Sequence, residues 1–172
     1  MTLKELFWAK GFEYYPTDKD THHQYLTIYS ELFSKWEKET INILEVGTYK
    51  NGGLKLFEEY FAKATVVGYD NTLHPGAVGL TRARVFIEDF YSGLRELPEL
   101  TIAIDDGTHQ IEHQLSFVKK VYPKMVSGGI VVVEDVWDGF KQRFDELDIP
   151  YTVIEFYPPK DEPNDRLILF RK

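Results

Sequence analysis

The sequence predicts an α/β fold, a three-layer sandwich whose mostly parallel seven-stranded sheet is covered by helices and ends in an antiparallel hairpin. Two observations predict it. From Ile41 to Asp135, short apolar runs ending in glycine or an acid alternate with segments of helical periodicity. That is the pattern of parallel strands joined by helical crossovers. Beyond Asp135, "YTVIEFY" (Tyr151–Tyr157) and "RLILFRK" (Arg166–Lys172) are separated only by "PPKDEPND". This connection is too short for a crossover, so the two runs pair antiparallel.

Each element has its own signature. Tyr25, Ile28, Leu32, Phe33 and Trp36 recur at near-helical spacing among lysines and glutamates, which makes the first structured piece a helix. The period then changes. "INILEVG" (Ile41–Gly47) is short, apolar and closed by glycine, as suits a strand buried on both faces. Leu54, Phe57 and Phe61 mark one face of a helix beginning near Gly52. "TVVGYD" (Thr65–Asp70), "RVFIED" (Arg84–Asp89) and "LTIAIDD" (Leu100–Asp106) are the next three strands. Ile111, Leu115, Val118, Tyr122 and Met125 form a helical stripe, and "GGIVVVED" (Gly128–Asp135) is the fifth and most apolar strand. The expectation is five βα units followed by a hairpin. No repeat, low-complexity segment or long linker intervenes, so one domain is expected over residues 1–172, with a helical segment at 1–40.

Composition narrows the function. The 172 residues are enough for a full hydrophobic core. Apolar residues at 43% and charged residues at 28% mark a soluble globular chain, and aromatics at 15% supply large core side chains. The net charge of −8 opposes nucleic acid or an anionic membrane surface as partner. The absence of cysteine excludes disulfides, thiolate metal sites and thiol nucleophiles. Lys4, Glu5 and Lys10 break the N-terminal apolar run, and no stretch is long enough to span a bilayer. A cytoplasmic location is expected.

Ligands of open α/β sheets bind beyond the carboxyl ends of the strands. Here those ends carry Glu45 with Gly47, Asp70, Asp89, Asp105 with Asp106, and Glu134 with Asp135. "EVGTYKNGG" (Glu45–Gly53) is a glycine-bearing strand-to-helix turn, but it is neither G-x-G-x-x-G nor a P-loop. An acid two residues before the glycine favours an amine or hydroxyl ligand over a pyrophosphate. Gly47 alone reads as a tight turn and Asp70 alone as a helix cap; in register on adjacent strands they favour a nucleoside-type cofactor. Asp106, Glu134 and Asp135 offer hard oxygen ligands of the kind that suit magnesium or calcium. His109 follows Asp106 by three residues at a helix start, where a lone histidine is ordinarily exposed; with three carboxylates nearby it becomes a candidate for chemistry. His113, one turn later, is expected to be exposed.

These residues also carry a resemblance. "LEVGTYKNGG", "VVGYDN", "IEDFYS" and "IDDGTHQIEHQLSFVKKVYPKMVSGGIVVVEDVW" resemble the Rossmann-like class I S-adenosylmethionine-dependent methyltransferases. More closely, they resemble the metal-dependent, mycinamicin-type O-methyltransferases of macrolide sugars. The upstream "PTDKDTHHQYLTIYSELF" (Pro16–Phe33) resembles the segment preceding that family's core, without residue-level roles for Lys19, His22, His23 or Tyr25. The resemblance covers roughly residues 14 to 137. It implies that residues 41–172 form a cofactor-binding core for S-adenosyl-L-methionine. Glu45 and Gly47 would border the methionine and ribose portions, Asp70 would hold the ribose hydroxyls, and Asp89 would lie near the adenine. Asp105 is placed on the cofactor side without an assigned role. Asp106, Glu134 and Asp135 match the ligands of Mg2+ or a similar divalent cation, and His109 matches the general base.

The implied partner is a small-molecule hydroxyl acceptor, such as a sugar. A sugar hydroxyl is a poor nucleophile at neutral pH, so a cation that acidifies it and a histidine that takes its proton serve one deprotonation. The chain is near the minimal size for the fold and lacks the extra domain and long insertions of the macrolide enzymes. The wall that selects the acceptor is then absent or supplied by another subunit, which makes a homo-oligomer an expectation. Cephalosporin hydroxylases look similar too. Two rival functions are a nicotinamide-dependent oxidoreductase and a non-catalytic methyltransferase-like binding module. The missing G-x-G-x-x-G counts against the first, the intact acids and His109 against the second.

Overall fold

The strands are β1 (Asn42–Val46), β2 (Thr65–Asp70), β3 (Arg84–Ile87), β4 (Leu100–Asp105), β5 (Met125–Val133), β6 (Tyr151–Glu155) and β7 (Arg166–Arg171). In the computed structural model, which describes residues 1–93, 95–156 and 166–172, they form one sheet in the order β3-β2-β1-β4-β5-β7-β6. The pairs from β3 through β5 are parallel, whereas β7 pairs antiparallel with both β5 and β6. The expected mixed sheet and terminal antiparallel pair are therefore present. The stretch joining that pair, residues 157–165, lies outside the described residues.

Alternation along the strands builds the layers, because successive side chains point to opposite faces. Ile43, Val66, Ile102, Ile104, Ile130 and Val132 join one apolar cluster with side chains of α1 (Leu3–Lys10), α2 (Tyr25–Phe33) and α3 (Gly52–Tyr60). Their neighbours Leu44, Val46, Ala103, Val131 and Val133 join a second cluster with Leu115, Phe117 and Val118 of α4 (Ile111–Val121). Both faces are covered, which is why the strands read as continuous apolar runs.

The structure departs from expectation in three places. First, among the described residues α-helices follow only β1 and β4, not each strand. Residues 71–83 contain Pro75, Gly76 and Gly79, and residues 88–99 contain Gly93 and Pro98, which break helical continuity. The first of these loops is held instead by Glu58 of α3, whose carboxylate accepts the backbone N–H groups of Thr81, Arg82 and Ala83 at 2.7–3.2 Å. Second, Met125 opens β5 rather than closing the α4 stripe, because Pro123 has no N–H to continue the helix. Third, α1 forms without a periodic apolar face to announce it. Thr2 Oγ1 accepts the Glu5 N–H, and Glu5 Oε2 accepts the Thr2 N–H. This is a capping box on a helix with only two fully buried side chains, Leu3 and Phe7.

The chain runs outward from β1 to β2 and β3, then returns to place β4 on the other side of β1. The β1/β4 boundary is thus the point where strand order reverses, the place where ligands of such sheets bind.

Candidate active site

A cleft of about 490 Å3 opens over the carboxyl ends of the strands, lined by Glu45, Gly47, Asp70, Asp89, Asp106 and His109 among others. Gly47 closes the β1/β4 boundary. Its φ is +84°, and a Cβ there would lie 1.9 Å from the backbone oxygen of Asp106. Only glycine lets the loop after β1 approach the loop after β4 this closely.

Period-two alternation sorts the acids. Glu45 follows Ile43, Asp106 follows Ile104, and Glu134 follows Val132, so each continues the face packed by the N-terminal helices. At the centre of the three lies Lys19, which is 1% exposed. Its ammonium donates to Asp106 Oδ2 at 2.6 Å and to both oxygens of Glu134 at 2.8 and 2.9 Å, and it stands 3.2 Å from Glu45 Oε1. Tyr29 of α2 adds a hydroxyl donation to Glu134 Oε1. Burial pushes the carboxyls of Glu45 up to about 7 and Asp106 up to about 6, opposed by the nearby Lys19 charge. Burial also holds Glu134 well above the carboxylate range. Lys19 itself stays charged: desolvation would lower its pKa, but Asp106, Glu134 and Glu45 together hold it above the ordinary value.

Asp105 follows Ala103 and faces the opposite side of the sheet. It accepts the Tyr91 hydroxyl at 2.6 Å on Oδ1, while the buried Oδ2 has no hydrogen-bond partner. Burial pushes it up to about 7. The two adjacent aspartates therefore serve opposite faces. His113, expected to be exposed, is half-buried in the cleft wall, stacked on Tyr91 at 4.3 Å with its Nδ1 2.7 Å from Thr108 Oγ1.

The other cofactor-side candidates are placed as follows. Asp70 accepts the N–H groups of Thr48 and Tyr49 on Oδ2 and that of Thr72 on Oδ1, so it orders the loop after β1 as well as lining the cleft. Asp89, more exposed, accepts the Ser92 hydroxyl and the Tyr91 N–H, and the Ser92 bond helps hold its carboxyl below the usual range. Glu45 keeps one buried oxygen, Oε2, without a hydrogen-bond partner.

Asp106, His109 and Asp135 each offer a ligand atom, and the three atoms lie within 4.8 Å of one another. Asp135 Oδ1 accepts the Tyr25 hydroxyl at 2.6 Å and stands 3.5 Å from His23 Nε2; Oδ2 stands 3.6 Å from His109 Nε2. His109 and Asp135 both adopt left-handed backbone, with φ of 56° and 54°. Strain of that kind at two adjoining site residues is characteristic of positions that place a side chain for chemistry. Glu134 is brought to Lys19 and Tyr29 rather than into this trio.

Sequence reasoning misses Lys19, Tyr25, Tyr29, Tyr91 and the stacking of His113. Lys19 sits in "TDKD", which resembles a solvated charge run; only burial distinguishes it. Tyr25 belongs to the apolar helical stripe, and its hydroxyl gives no further signal in the sequence.

No protein-family model matches the chain. It is 28% identical over 133 residues to the 8-demethyl-8-(2-methoxy-alpha-L-rhamnosyl)-tetracenomycin-C 3'-O-methyltransferase of Streptomyces olivaceus, covering 69% of this chain and 33% of that protein. It is 25% identical to the mycinamicin VI 2''-O-methyltransferase of Micromonospora griseorubida, covering 71% and 34%. The chain thus spans about a third of the length of the curated relatives it matches. Among solved structures, the MycE methyltransferase of mycinamycin biosynthesis, in complex with Mg and SAH, superposes with a TM-score of 0.74 at 21% identity. That match covers 100% of this chain and 55% of MycE. A second MycE structure also holds mycinamycin VI. By fold this chain is like the MycE methyltransferase, and by sequence it resembles the tetracenomycin- and mycinamicin-type O-methyltransferases.

Proposed function

We propose that this chain carries an S-adenosylmethionine-dependent O-methyltransferase activity toward a small-molecule hydroxyl, of the sugar class, using a divalent cation and His109 as base. The observation that carries the proposal is one cleft lined both by Glu45, Gly47, Asp70 and Asp89 and by Asp106 and His109, with Asp135 in ligand reach of the last two. The cofactor, cation and macrolide bound by MycE support it. A cytoplasmic site of action and a one-domain core belong to the same proposal; among the described residues no helix is long and apolar enough to cross a membrane.

The residues present fit both groups. The buried, unpartnered Glu45 Oε2 suits the ammonium of an amino-acid moiety. The carboxylates of Asp106 and Asp135 are hard oxygen donors that suit a divalent ion, with the His109 imidazole left beside them for the proton. When bound, the cation lowers the pKa of the acceptor hydroxyl and the sulfonium offers an activated methyl. The chain's own residues do the remainder. Asp70 orders the Thr48–Tyr49 turn against the cofactor, Gly47 permits the approach of the two loops, and Tyr25 fixes Asp135. His109, beside Asp135 Oδ2, takes the acceptor's proton on an imidazole nitrogen, and the carboxylate stabilises the charge that forms.

Calorimetric titration with S-adenosylhomocysteine and, separately, NAD tests the cofactor. The expected result is binding of the first only. Comparable binding of NAD would favour the oxidoreductase instead, and no binding of S-adenosylhomocysteine would refute the proposal.

A further inference from the structure

Lys19 has no part in the chemistry above, yet it is buried as deeply as Glu45 and Glu134. Its ammonium is shared by Glu45, Asp106 and Glu134. One ammonium thus faces three buried or half-buried carboxyl groups. Asp106 takes part twice, holding Lys19 through Oδ2 while belonging to the trio with His109 and Asp135.

We propose that Lys19 is a positioning residue that acts as a built-in counter-ion, letting the acid cluster fold without a metal and keeping a divalent cation at Asp106 weakly held and exchangeable. This rests on the cation site of the proposed function. Two physical effects with opposite signs follow from one ammonium. Buried carboxylates that lose their partner are strongly destabilising, so the metal-free fold depends on Lys19. A divalent ion taken up through Asp106, by contrast, meets a like charge 2.6 Å from that same carboxylate, in a region sheltered from water where charges interact strongly. The neighbouring anchors do not duplicate Lys19: Tyr25 holds Asp135 and Tyr29 holds Glu134, but both are neutral donors.

The test uses Lys19→Met, of similar length without charge, and Lys19→Arg, with Mn2+ alone as probe. Binding is read by the loss of the free-ion electron paramagnetic resonance signal, and stability by melting without metal. Lys19→Met should melt several degrees lower than wild type yet bind Mn2+ at least about tenfold tighter, a change of about 1.4 kcal/mol. Lys19→Arg should bind within about threefold of wild type, since charge and not shape sets the effect. A merely structural lysine would lower stability and affinity together. If Lys19→Met binds Mn2+ no tighter than wild type, while wild type does bind, this proposal falls and the cation site stands. If neither binds, both fall. Should Lys19→Met not fold without metal, millimolar MnCl2 during refolding should recover it, and failure to recover it refutes the proposal.

Discussion

Gly47 and Gly11 share a positive φ but have very different surroundings, which allows strain and crowding to be separated. Their φ values are +84° and +81°. Around Gly11 nothing lies within 4 Å of an added Cβ, whereas at Gly47 the Cβ would meet Asp106 O at 1.9 Å, Asp106 C at 2.4 Å and Gly107 Cα at 2.7 Å. All three contacts are backbone, so no side chain can rotate away. Gly11→Ala should therefore cost only the backbone strain of its positive-φ conformation, roughly 1–3 kcal/mol. Gly47→Ala should add an overpacking penalty of about 1–3 kcal/mol, for a total of roughly 2–6 kcal/mol. For a domain of this size, at about 2–4 °C per kcal/mol, that corresponds to a melting shift of about 4–24 °C against about 2–12 °C for Gly11→Ala. The crowding also separates the loops after β1 and β4, which carry the Thr48 and Tyr49 N–H groups that Asp70 accepts and the carboxylate of Asp106. S-adenosylhomocysteine affinity should consequently fall at least about tenfold in Gly47→Ala and stay unchanged in Gly11→Ala. Differential scanning calorimetry and titration calorimetry measure both. Equal melting shifts for the two variants, or an unchanged affinity in Gly47→Ala, would refute the assignment of this contact as the closure of the cleft.

Other predictions address the base, the cation and acid stability. His109→Asn, chosen because asparagine tolerates the left-handed backbone of that position, should lower methyl transfer to a sugar acceptor about 100-fold or more. Its Mn2+ affinity should stay within about threefold of wild type; a tenfold loss would make His109 a ligand rather than the base. Asp135→Asn should weaken Mn2+ binding at least about tenfold without unfolding the protein, and exhaustive chelation should abolish methyl transfer. Activity that survives chelation would remove the cation from the mechanism. Burial pushes Glu58 up, but the backbone donors of Ala83, Thr81 and Arg82 outweigh it and leave the carboxyl below its ordinary value of 4.5. A depressed folded-state pKa stabilises fully above the unfolded value and is lost as pH falls through the folded one. Glu58→Gln should accordingly melt lower at pH 7 and converge with wild type as pH falls below about 4.5; parallel curves down to pH 3 would contradict this.

The strands and their acidic ends are legible in the sequence because burial on both faces leaves a strong local trace. Runs such as Ile130–Val133 have no polar residue to place, and the acids stand out against them at or next to the carboxyl ends of the strands. The mixed sheet, the terminal antiparallel pair and the cleft over Glu45, Asp70 and Asp106 all descend from that pattern. The same pattern over-predicts helices after β2 and β3, since alternation of strands does not require that each connection be helical; Glu58 satisfies one such connection from a distance in sequence. The pairing of charges was decided by tertiary structure alone. Lys19 and Glu134 are 115 residues apart, and nothing in the residues next to Lys19 distinguishes it from a surface lysine. Whether a charge is buried depends on which segment covers it. Here that is the stretch before α2, folded over the ends of β1, β4 and β5, where a single ammonium finds three carboxylates already turned to one face by the period of the strands.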